Sequence, residues 1–330
     1  MPWLRENLRF LTAVQLLPAL ESGEETLVGG QAVLEGVMMR SPHACAIAVR
    51  RPDGVIATHS EAVVRPSETH KWMGWPIIRG VATLGQAMAL GFRALKFSAN
   101  VALDETPHEP GENAKKMEIS GWVAAFNVML SVGFFIVFYK MIPVYAATGL
   151  ARIWPALNGH VLFNVVDGVI RLALFLFFIW AVSLWSDIRR VYQYHGAEHK
   201  TVFAFEDGGP LNVDAAQKYS TFHPRCGTSF LMTVMLISIG FYMLFPVHTL
   251  LARIAIRIAL LPVIAGVSYE IIRFAAKRRK SLFALMTAPG LWMQRITTKP
   301  PTDAHVECAI RALDEAMVLE KQHGGELVIA

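Results

Sequence analysis

The sequence predicts a mainly α-helical, polytopic membrane protein with about four transmembrane helices and a small N-terminal, β-containing cytosolic subdomain. Of its 330 residues, 54% are hydrophobic and only 17% are charged, whereas about a quarter are charged in typical soluble domains. Several apolar stretches reach the roughly 20 residues that a helix needs to cross a bilayer. Basic residues such as Arg189 and Arg190 lie mainly at the ends of those stretches, where they set membrane topology.

The first 120 residues precede the predicted spans. Residues 1–27 are an N-terminal extension, predicted to be an interfacial helix because polar residues interrupt the apolar run of a signal peptide. Residues 28–120 form a cytosolic region with a β-hairpin, a turn at 52–54 and an amphipathic helix over 77–103. That helix either lies on the membrane or dips into it, and residues 104–120 form a polar linker.

The four predicted spans form two pairs, one within residues 121–187 and one within residues 228–274. They cover residues 122–145, 165–187, 228–248 and 254–274. The tail, residues 275–330, carries an amphipathic helix over 304–322, and we expect this helix to pack on the cytosolic part of the protein.

The distribution of charge predicts topology and partners. The loop 188–227 and the tail after residue 272 are rich in lysine and arginine, whereas residues 146–164 carry only Arg152. This places the loop and both termini in the cytosol of a multi-pass plasma-membrane protein. We expect membrane lipids as partners, leave open a membrane-protein partner or a homo-oligomer, and expect no nucleic acid, because topology explains the net charge of +5. Three dispersed cysteines fit a reducing compartment.

The most informative motif lies in residues 188–227, predicted to begin as a helical continuation of the second span. His195, Glu198 and His199 are spaced i, i+3 and i+4, so one helical face presents all three. The order H-x-x-E-H is that of the inverted zincins. His195 and His199 are predicted to bind one ion, and Glu198 to act as general base on a water activated by that ion.

Two residues, His223 and Cys226, are candidates for the remaining metal ligands. A catalytic zinc usually has three protein ligands and one open position. His223 is predicted as the third ligand, and Cys226 is either absent from the shell or a fourth ligand that closes the site and makes it structural. Imidazoles with a soft thiolate favour a divalent metal such as zinc, or iron, over magnesium or calcium.

Three charged residues outside the cluster are weaker candidates. Glu35 lies in an apolar stretch, where a carboxylate must be paired or bound. It is either a catalytic residue or the partner of Arg40 or Arg79 in a salt bridge. Arg225 or Arg40 is a candidate contact for an anion or oxyanion.

Several motifs of this chain resemble those of the YqhQ-like family of bacterial membrane proteins. They are residues 29–33 with 35–40, 194–200, 223–228, and 289–292 with Gln294, Thr297 and Thr298. The resemblance runs from about residue 28 to about residue 316. It implies a bacterial inner-membrane protein with a domain of unknown function, described as a predicted metal-dependent enzyme. That description points here to His195, Glu198, His199, His223 and Cys226.

Three functions follow from these patterns. The leading hypothesis is a membrane-embedded, metal-dependent hydrolase that works at the cytosolic membrane surface. The alternative is a non-enzymatic scaffold or assembly factor with a structural metal or a hydrogen-bonded histidine–cysteine cluster. A transporter comes third, because four spans without an internal repeat fit it less well.

Overall fold

The computed structural model describes residues 28–102, 121–223, 226–247, 249–277 and 283–323. These residues are mainly helical and include one four-stranded sheet near the N-terminus. The predicted mainly α fold with a small N-terminal β part is therefore confirmed. The predicted extension 1–27, the linker 104–120 and Arg225 lie outside the described residues.

The sheet is an antiparallel meander in the order β1-β2-β3-β4. The strands are β1 (Gly29–Val33), β2 (Gly36–Arg40), β3 (Ala44–Arg50) and β4 (Ile56–Ala62). A two-residue turn joins β1 to β2 and holds Glu35 at a φ of +52°. The turn predicted at 52–54 joins β3 to β4, where Gly54 adopts a φ of +88° that favours glycine.

Helices cover both faces of the sheet. Helix α1 (Pro66–Thr69) is a single turn, and α2 (Ile78–Ala102) lies across one face. The opposite face packs on two helices described below, Ser186–Glu206 and Asp303–His323. Along β3, Ala46 and Ala48 face these two helices, whereas residues 45, 47 and 49 face α2. Burial on both faces explains why β3 is apolar from Ala44 to Val49.

The remaining helices complete the chain. They are α3 (Gly121–Ile136), α4 (Ile142–Ile153), α5 (His160–Val182), α6 (Ser186–Glu206), α7 (Val213–Ala216), α8 (Gly227–Met243), α9 (Leu250–Ala259), α10 (Leu261–Lys277), α11 (Phe283–Thr297) and α12 (Asp303–His323). A π-helical turn over Val137–Met141 joins α3 to α4 without a break. The predicted C-terminal helix is α12, and it packs on the sheet.

Two helices of the described chain are long and apolar enough to cross a membrane, namely Met129–Ile153 and His160–Val182. The bent pair α9 and α10 makes a third candidate if both halves form one span. The 48° bend lies next to Pro262, whose missing N–H removes a helical hydrogen bond. Helix α8 is apolar but has only 17 residues, so two or three candidate spans stand where the sequence predicts four.

The second candidate span does not continue into α6. Helix α5 ends at Val182, the chain turns, and α6 begins at Ser186 after an extended Trp185. The Ser183 hydroxyl donates to the carbonyl of Trp180, which competes with helix continuation. Asp187 in the first turn favours a new helical N-terminus there. Helix α6 can therefore turn towards the sheet instead of following α5.

Candidate metal centre

His195, His199 and Cys226 converge at one point. Their ligand atoms lie within 4.8 Å of one another, and all three residues are buried. The two histidines project from one face of α6, as their i, i+4 spacing predicts. Cys226 is the residue immediately before α8. We call these three residues the His/Cys cluster.

Backbone carbonyls fix the orientation of both imidazoles. Nδ1 of His195 lies 2.8 Å from the carbonyl oxygen of Thr297, and Nδ1 of His199 bonds the carbonyl oxygen of Thr221. A carbonyl can only accept, so each Nδ1 carries the hydrogen. When each ring is neutral, its Nε2 therefore keeps a lone pair. Such outer hydrogen bonds are typical of metal-binding histidines.

Cys226 is held in a position where its thiolate is favoured. Its Sγ lies 3.2 Å from Nε2 of His195 and 3.0 Å from the hydroxyl oxygen of Thr228. Burial alone would raise the pKa of the thiol, but His199 and His195 outweigh it and lower the pKa well below its usual value. For His195, burial alone would lower the pKa, but Cys226 and Glu198 raise it to about 9. The Cys226 sulfur and the His195 imidazole are therefore placed to bind one cation together.

Glu198 lies beside the cluster. Its Oε2 is 3.8 Å from Nε2 of His195 and 3.6 Å from Nε2 of His199. Strand β1 passes close to this side chain, because a Cβ on Gly30 would lie 2.6 Å from Cγ of Glu198 and 2.8 Å from the carbonyl of Met38. The N-terminal glycine motif and the histidine motif therefore meet at Glu198.

His223, the predicted third ligand, lies next to the cluster but outside the group of three. Its ring centroid is 5.7 Å from that of His199, and its Nε2 lies 3.4 Å from Oε2 of Glu206. Burial, with a further contribution from His199, lowers the pKa of His223 to about 3, so its ring is neutral. The structure thus brings together His195, His199 and Cys226, with Glu198 beside them and His223 behind.

Gln294 on α11 fastens the segment that carries His223 and Cys226. Its side-chain amide accepts from the backbone N–H of His223 and donates to the His223 carbonyl and the Ser229 hydroxyl, at 2.8, 2.8 and 2.9 Å. One helix turn away, Gly290 leaves room for Ser229, whose Cβ would lie 2.5 Å from an added Cβ. The 289–298 motif therefore serves to position the loop before α8.

Close packing positions α6 as well. A Cβ on Gly196 would lie 2.3 Å from the carbonyl oxygen of Lys299, and the Lys299 N–H donates to the carbonyl of Tyr192 at 2.9 Å. One turn further along the helix, Nζ of Lys200 donates to the carbonyls of Gln217 and Tyr219. Helix α6 thus holds both backbone segments that supply carbonyls to its histidines.

The other predicted site residues lie elsewhere. Glu35 pairs with Arg190 and lies 3.4 Å from the Tyr194 hydroxyl, so its salt bridge is made with neither Arg40 nor Arg79. Arg40 donates to Oε1 of Gln86 at 2.6 Å. Glu35 therefore contacts α6 through Arg190 and Tyr194, whereas Arg40, at the end of β2, contacts α2 through Gln86.

Sequence reasoning assigned no role to Gln294, Thr221 or Thr297. A single buried glutamine that bonds two backbone groups produces no periodic pattern in the sequence. A hydrogen bond to a backbone carbonyl cannot be predicted from residue type, because every residue has a carbonyl. The signal for Gln294 and Thr297 is that they belong to one of the motifs shared with the family. Gly30 belongs to another, and its role depends on the approach of β1 to α6.

The donor set suits a soft or borderline divalent ion. Two imidazole nitrogens and a thiolate favour zinc or iron over magnesium or calcium. Nε2 of His199 is buried and has no hydrogen-bond partner among the described residues, and a buried polar atom without a partner is unfavourable. An ion bound by His195, His199 and Cys226 would satisfy that nitrogen, and a tetrahedral ion with three protein ligands would keep one position open.

Comparison with known proteins places the chain in a family. The family described as "Protein of unknown function (DUF1385)" matches residues 75–319. The chain is 34% identical over 298 residues to "Uncharacterized protein YqhQ" of Bacillus subtilis (strain 168). The matched region covers 88% of this chain and 92% of that protein. No solved structure matches the chain. The resemblance to YqhQ-like proteins is thus confirmed, and the chain belongs to the DUF1385 family of unknown function.

Proposed function

We propose that the protein is a membrane-embedded, metal-dependent hydrolase with its site at the cytosolic membrane surface. One observation carries the proposal: three ligand atoms converge within 4.8 Å while a carboxylate oxygen lies 3.6–3.8 Å from two of them. His195, His199 and Cys226 would hold the ion. This set replaces His223 with Cys226 as the third ligand.

Each side chain has a distinct role in this proposal. A divalent ion supplies Lewis acidity and lowers the pKa of a bound water to about 7. Glu198 accepts the proton of the attacking water at Oε2 and later delivers it to the leaving group. The Thr221 and Thr297 carbonyls keep the hydrogens of both imidazoles on Nδ1. Burial of the cluster strengthens these interactions by excluding bulk water.

The membrane location rests on the apolar helices and on the distribution of charge. Two or three helices are long and apolar enough to span. The sheet, α6 and α12, which belong to the predicted cytosolic regions, pack on one another. This supports a multi-pass protein of the bacterial inner membrane with both termini in the cytosol.

Glu198→Gln tests the catalytic role. The amide keeps the shape of the side chain but cannot accept the proton, so we expect turnover to fall about 100-fold or more while bound metal stays unchanged. Zinc-loaded protein in lipid nanodiscs would be assayed on chromogenic carboxylic and phosphate esters, with metal measured by mass spectrometry. Glu307→Gln, on an exposed residue of α12, is the matched control. Turnover retained in Glu198→Gln, or wild-type protein without metal, would contradict the proposal.

A structural metal in a non-enzymatic scaffold is the second candidate. It is favoured by the way the cluster joins α6, the segment before α8 and the end of α11. X-ray absorption at the metal edge separates the two functions. Three protein ligands and one water oxygen support the hydrolase, whereas four protein ligands, with His223 as the fourth, support the scaffold.

A further inference from the structure

A second polar cluster lies inside the bundle of apolar helices. It contains Lys140, Asp167, Arg171, Arg257 and Tyr242, and each of these residues is at most 5% exposed. They come from the π-helical turn, α5, α8 and α9. We call this group the basic cluster.

Asp167 is the centre of the basic cluster. Its Oδ2 accepts from Nη2 of Arg171 and from Nη2 of Arg257, the latter at 3.0 Å. Nη1 of Arg171 also reaches the Ser238 hydroxyl at 3.2 Å, and Lys140 donates to the Tyr242 hydroxyl at 3.1 Å. All three cations lie within 6 Å of the Tyr242 ring centroid, a distance at which cation–π attraction operates.

The charges of the basic cluster do not balance. Three cationic side chains share one carboxylate, and arginine does not deprotonate in proteins. Even with Lys140 neutral, the buried group keeps an excess positive charge. The described parts of α3, α4, α5, α8 and α9 contain no other carboxylate, and Glu270 on α10 pairs with Arg79. A buried unbalanced charge is strongly unfavourable, so a further anion is expected.

Three atoms of the cluster have no hydrogen-bond partner among the described residues. They are Nε of Arg171, Nε of Arg257 and Oδ1 of Asp167. Two are N–H donors suited to an oxyanion. The third is a carboxylate oxygen, which repels a bare oxyanion but accepts a hydrogen bond from one that carries a proton. Inorganic phosphate keeps at least one such hydrogen near neutral pH, and a phosphomonoester, whose second pKa is about 6, carries it in a minority of its molecules, whereas sulfate and phosphodiesters carry none.

The position of the basic cluster separates it from the His/Cys cluster. Tyr242 lies sixteen residues along α8 from Cys226, a helical distance of about 24 Å. Asp167 and Arg257 each lie seven residues from the start of their helices, which is about 10 Å from the opposite end of the bundle. That end is joined by a 2.7 Å hydrogen bond between His160 and the Met243 carbonyl.

We propose that the basic cluster is a binding site for a protonated phosphate group, reached from the end of the bundle opposite the His/Cys cluster. Arg171 and Arg257 bind the phosphate oxygens, Lys140 adds positive charge, and Asp167 accepts the hydrogen of the phosphate. Inorganic phosphate and the headgroup of a phosphomonoester lipid share this chemistry. The site is independent of the proposed hydrolase activity.

Thermal unfolding of the full chain in detergent tests the site. Inorganic phosphate is titrated against sulfate at constant ionic strength near pH 7. We expect phosphate to raise the Tm with an apparent affinity about tenfold tighter than that of sulfate, since one charge-assisted hydrogen bond distinguishes them. A wild-type Tm that responds to neither anion and to no phosphomonoester lipid, or equally to phosphate and sulfate, overturns the proposal.

A lipid arm distinguishes the two sources of phosphate. The protein is reconstituted in phosphatidylcholine vesicles containing phosphatidic acid, a monoester, or phosphatidylglycerol, a diester. Stabilisation by phosphatidic acid, with no response to inorganic phosphate, identifies a headgroup. Stabilisation by inorganic phosphate in vesicles of phosphatidylcholine alone identifies the free anion. Equal stabilisation by both anionic lipids contradicts the role of Asp167.

Variants separate binding from a structural role. Arg171→Gln should weaken the response to phosphate about tenfold, whereas Arg152→Gln, on an exposed arginine of α4, should leave it unchanged. Asp167→Asn should bring the affinities for sulfate and phosphate within about twofold of each other, because the amide can donate to either anion. An unchanged preference in Asp167→Asn contradicts the proposal. If these variants do not fold, Lys140→Met is the substitute test. It should weaken the binding of both anions, and an unchanged affinity contradicts the proposed phosphate site.

Discussion

The His/Cys cluster and the basic cluster are opposites in chemistry and in construction. The first gathers lone pairs on two nitrogens and a sulfur, and the second gathers N–H donors around one carboxylate. The two histidines of the first lie within five consecutive residues, whereas the members of the second are spread from residue 140 to residue 257. One is suited to a cation, and the other to an anion.

The clusters also differ in what holds them. Backbone carbonyls of Thr221 and Thr297 orient the histidines, and close contacts at Gly30 and Gly196 fix the neighbouring segments. The basic cluster is held mainly by contacts between side chains, with one hydrogen bond from Nη1 of Arg257 to the Arg253 carbonyl at 3.3 Å. Preorganisation by backbone is what a metal site needs, whereas an excess of charge held by side chains needs its ligand for balance.

The largest expected effect concerns removal of the metal. Metal saturated at about 1,000 times its dissociation constant adds about 4 kcal/mol to the free energy of unfolding, so chelation should lower the Tm. Cys226→Ser should abolish that chelator-dependent shift, and Cys308→Ser should keep it, because Cys308 is buried but donates to the Ala48 carbonyl. Scanning calorimetry with and without chelator measures the shift.

The chelator-dependent shift should be the same with and without phosphate if the clusters are independent. A phosphate-dependent change in that shift would mean that the two clusters are coupled. A chelator response that persists in Cys226→Ser would mean that the metal lies elsewhere.

Gly196→Ala is expected to have the next largest effect. The new Cβ would meet the Lys299 carbonyl at 2.3 Å, and backbone on both sides must shift, at a cost of about 3 kcal/mol in the free energy of unfolding. Gly85→Ala is the matched control, because this helical glycine has nothing within 4 Å of an added Cβ. We expect it to stabilise by up to about 1 kcal/mol. Denaturant unfolding compares the two.

Metal content sharpens the interpretation of Gly196→Ala. The backbone shift caused by the new Cβ should separate α6 from Thr297, so metal affinity should fall together with stability. Full metal affinity in a destabilised Gly196→Ala protein would show that the backbone contact does not orient His195.

Gln294→Leu should have the smallest effect of the three. It removes hydrogen bonds to the N–H and carbonyl of His223 and leaves these buried groups unpaired, with a loss of about 2 kcal/mol. Gln86→Leu, at a partly exposed position, should lose less than half of that. Chemical unfolding measures both losses. If Gln294→Leu loses no more unfolding free energy than the control, solvent replaces the hydrogen bonds that Gln294 makes to His223.

The His/Cys cluster shows how far spacing along one helix can predict a site. His195, Glu198 and His199 share a face because of helical periodicity, which is a local property. The choice between His223 and Cys226 is not local, since it depends on how Gln294 holds the segment between α7 and α8. The sequence favoured His223, and the structure places Cys226 in the group instead.

The apolar helices show a similar division. Composition predicts their existence, and helices occupy all four predicted regions. Their lengths depend on the turn at residues 183–185, the bend beside Pro262 and the early end of α8. Such breaks are set by competing hydrogen bonds and contacts, which hydropathy does not record.

By itself, the sequence determined the apolar helices, the small sheet near the N-terminus and the face shared by His195, Glu198 and His199, because periodicity and composition act over a few residues. Tertiary structure alone decided that Gly30 meets Glu198, that Glu35 pairs with Arg190 and that Arg257 also pairs with Asp167. Each of these contacts joins residues whose distance depends on the packing of whole helices. The charge imbalance of the basic cluster became visible only when that packing was known.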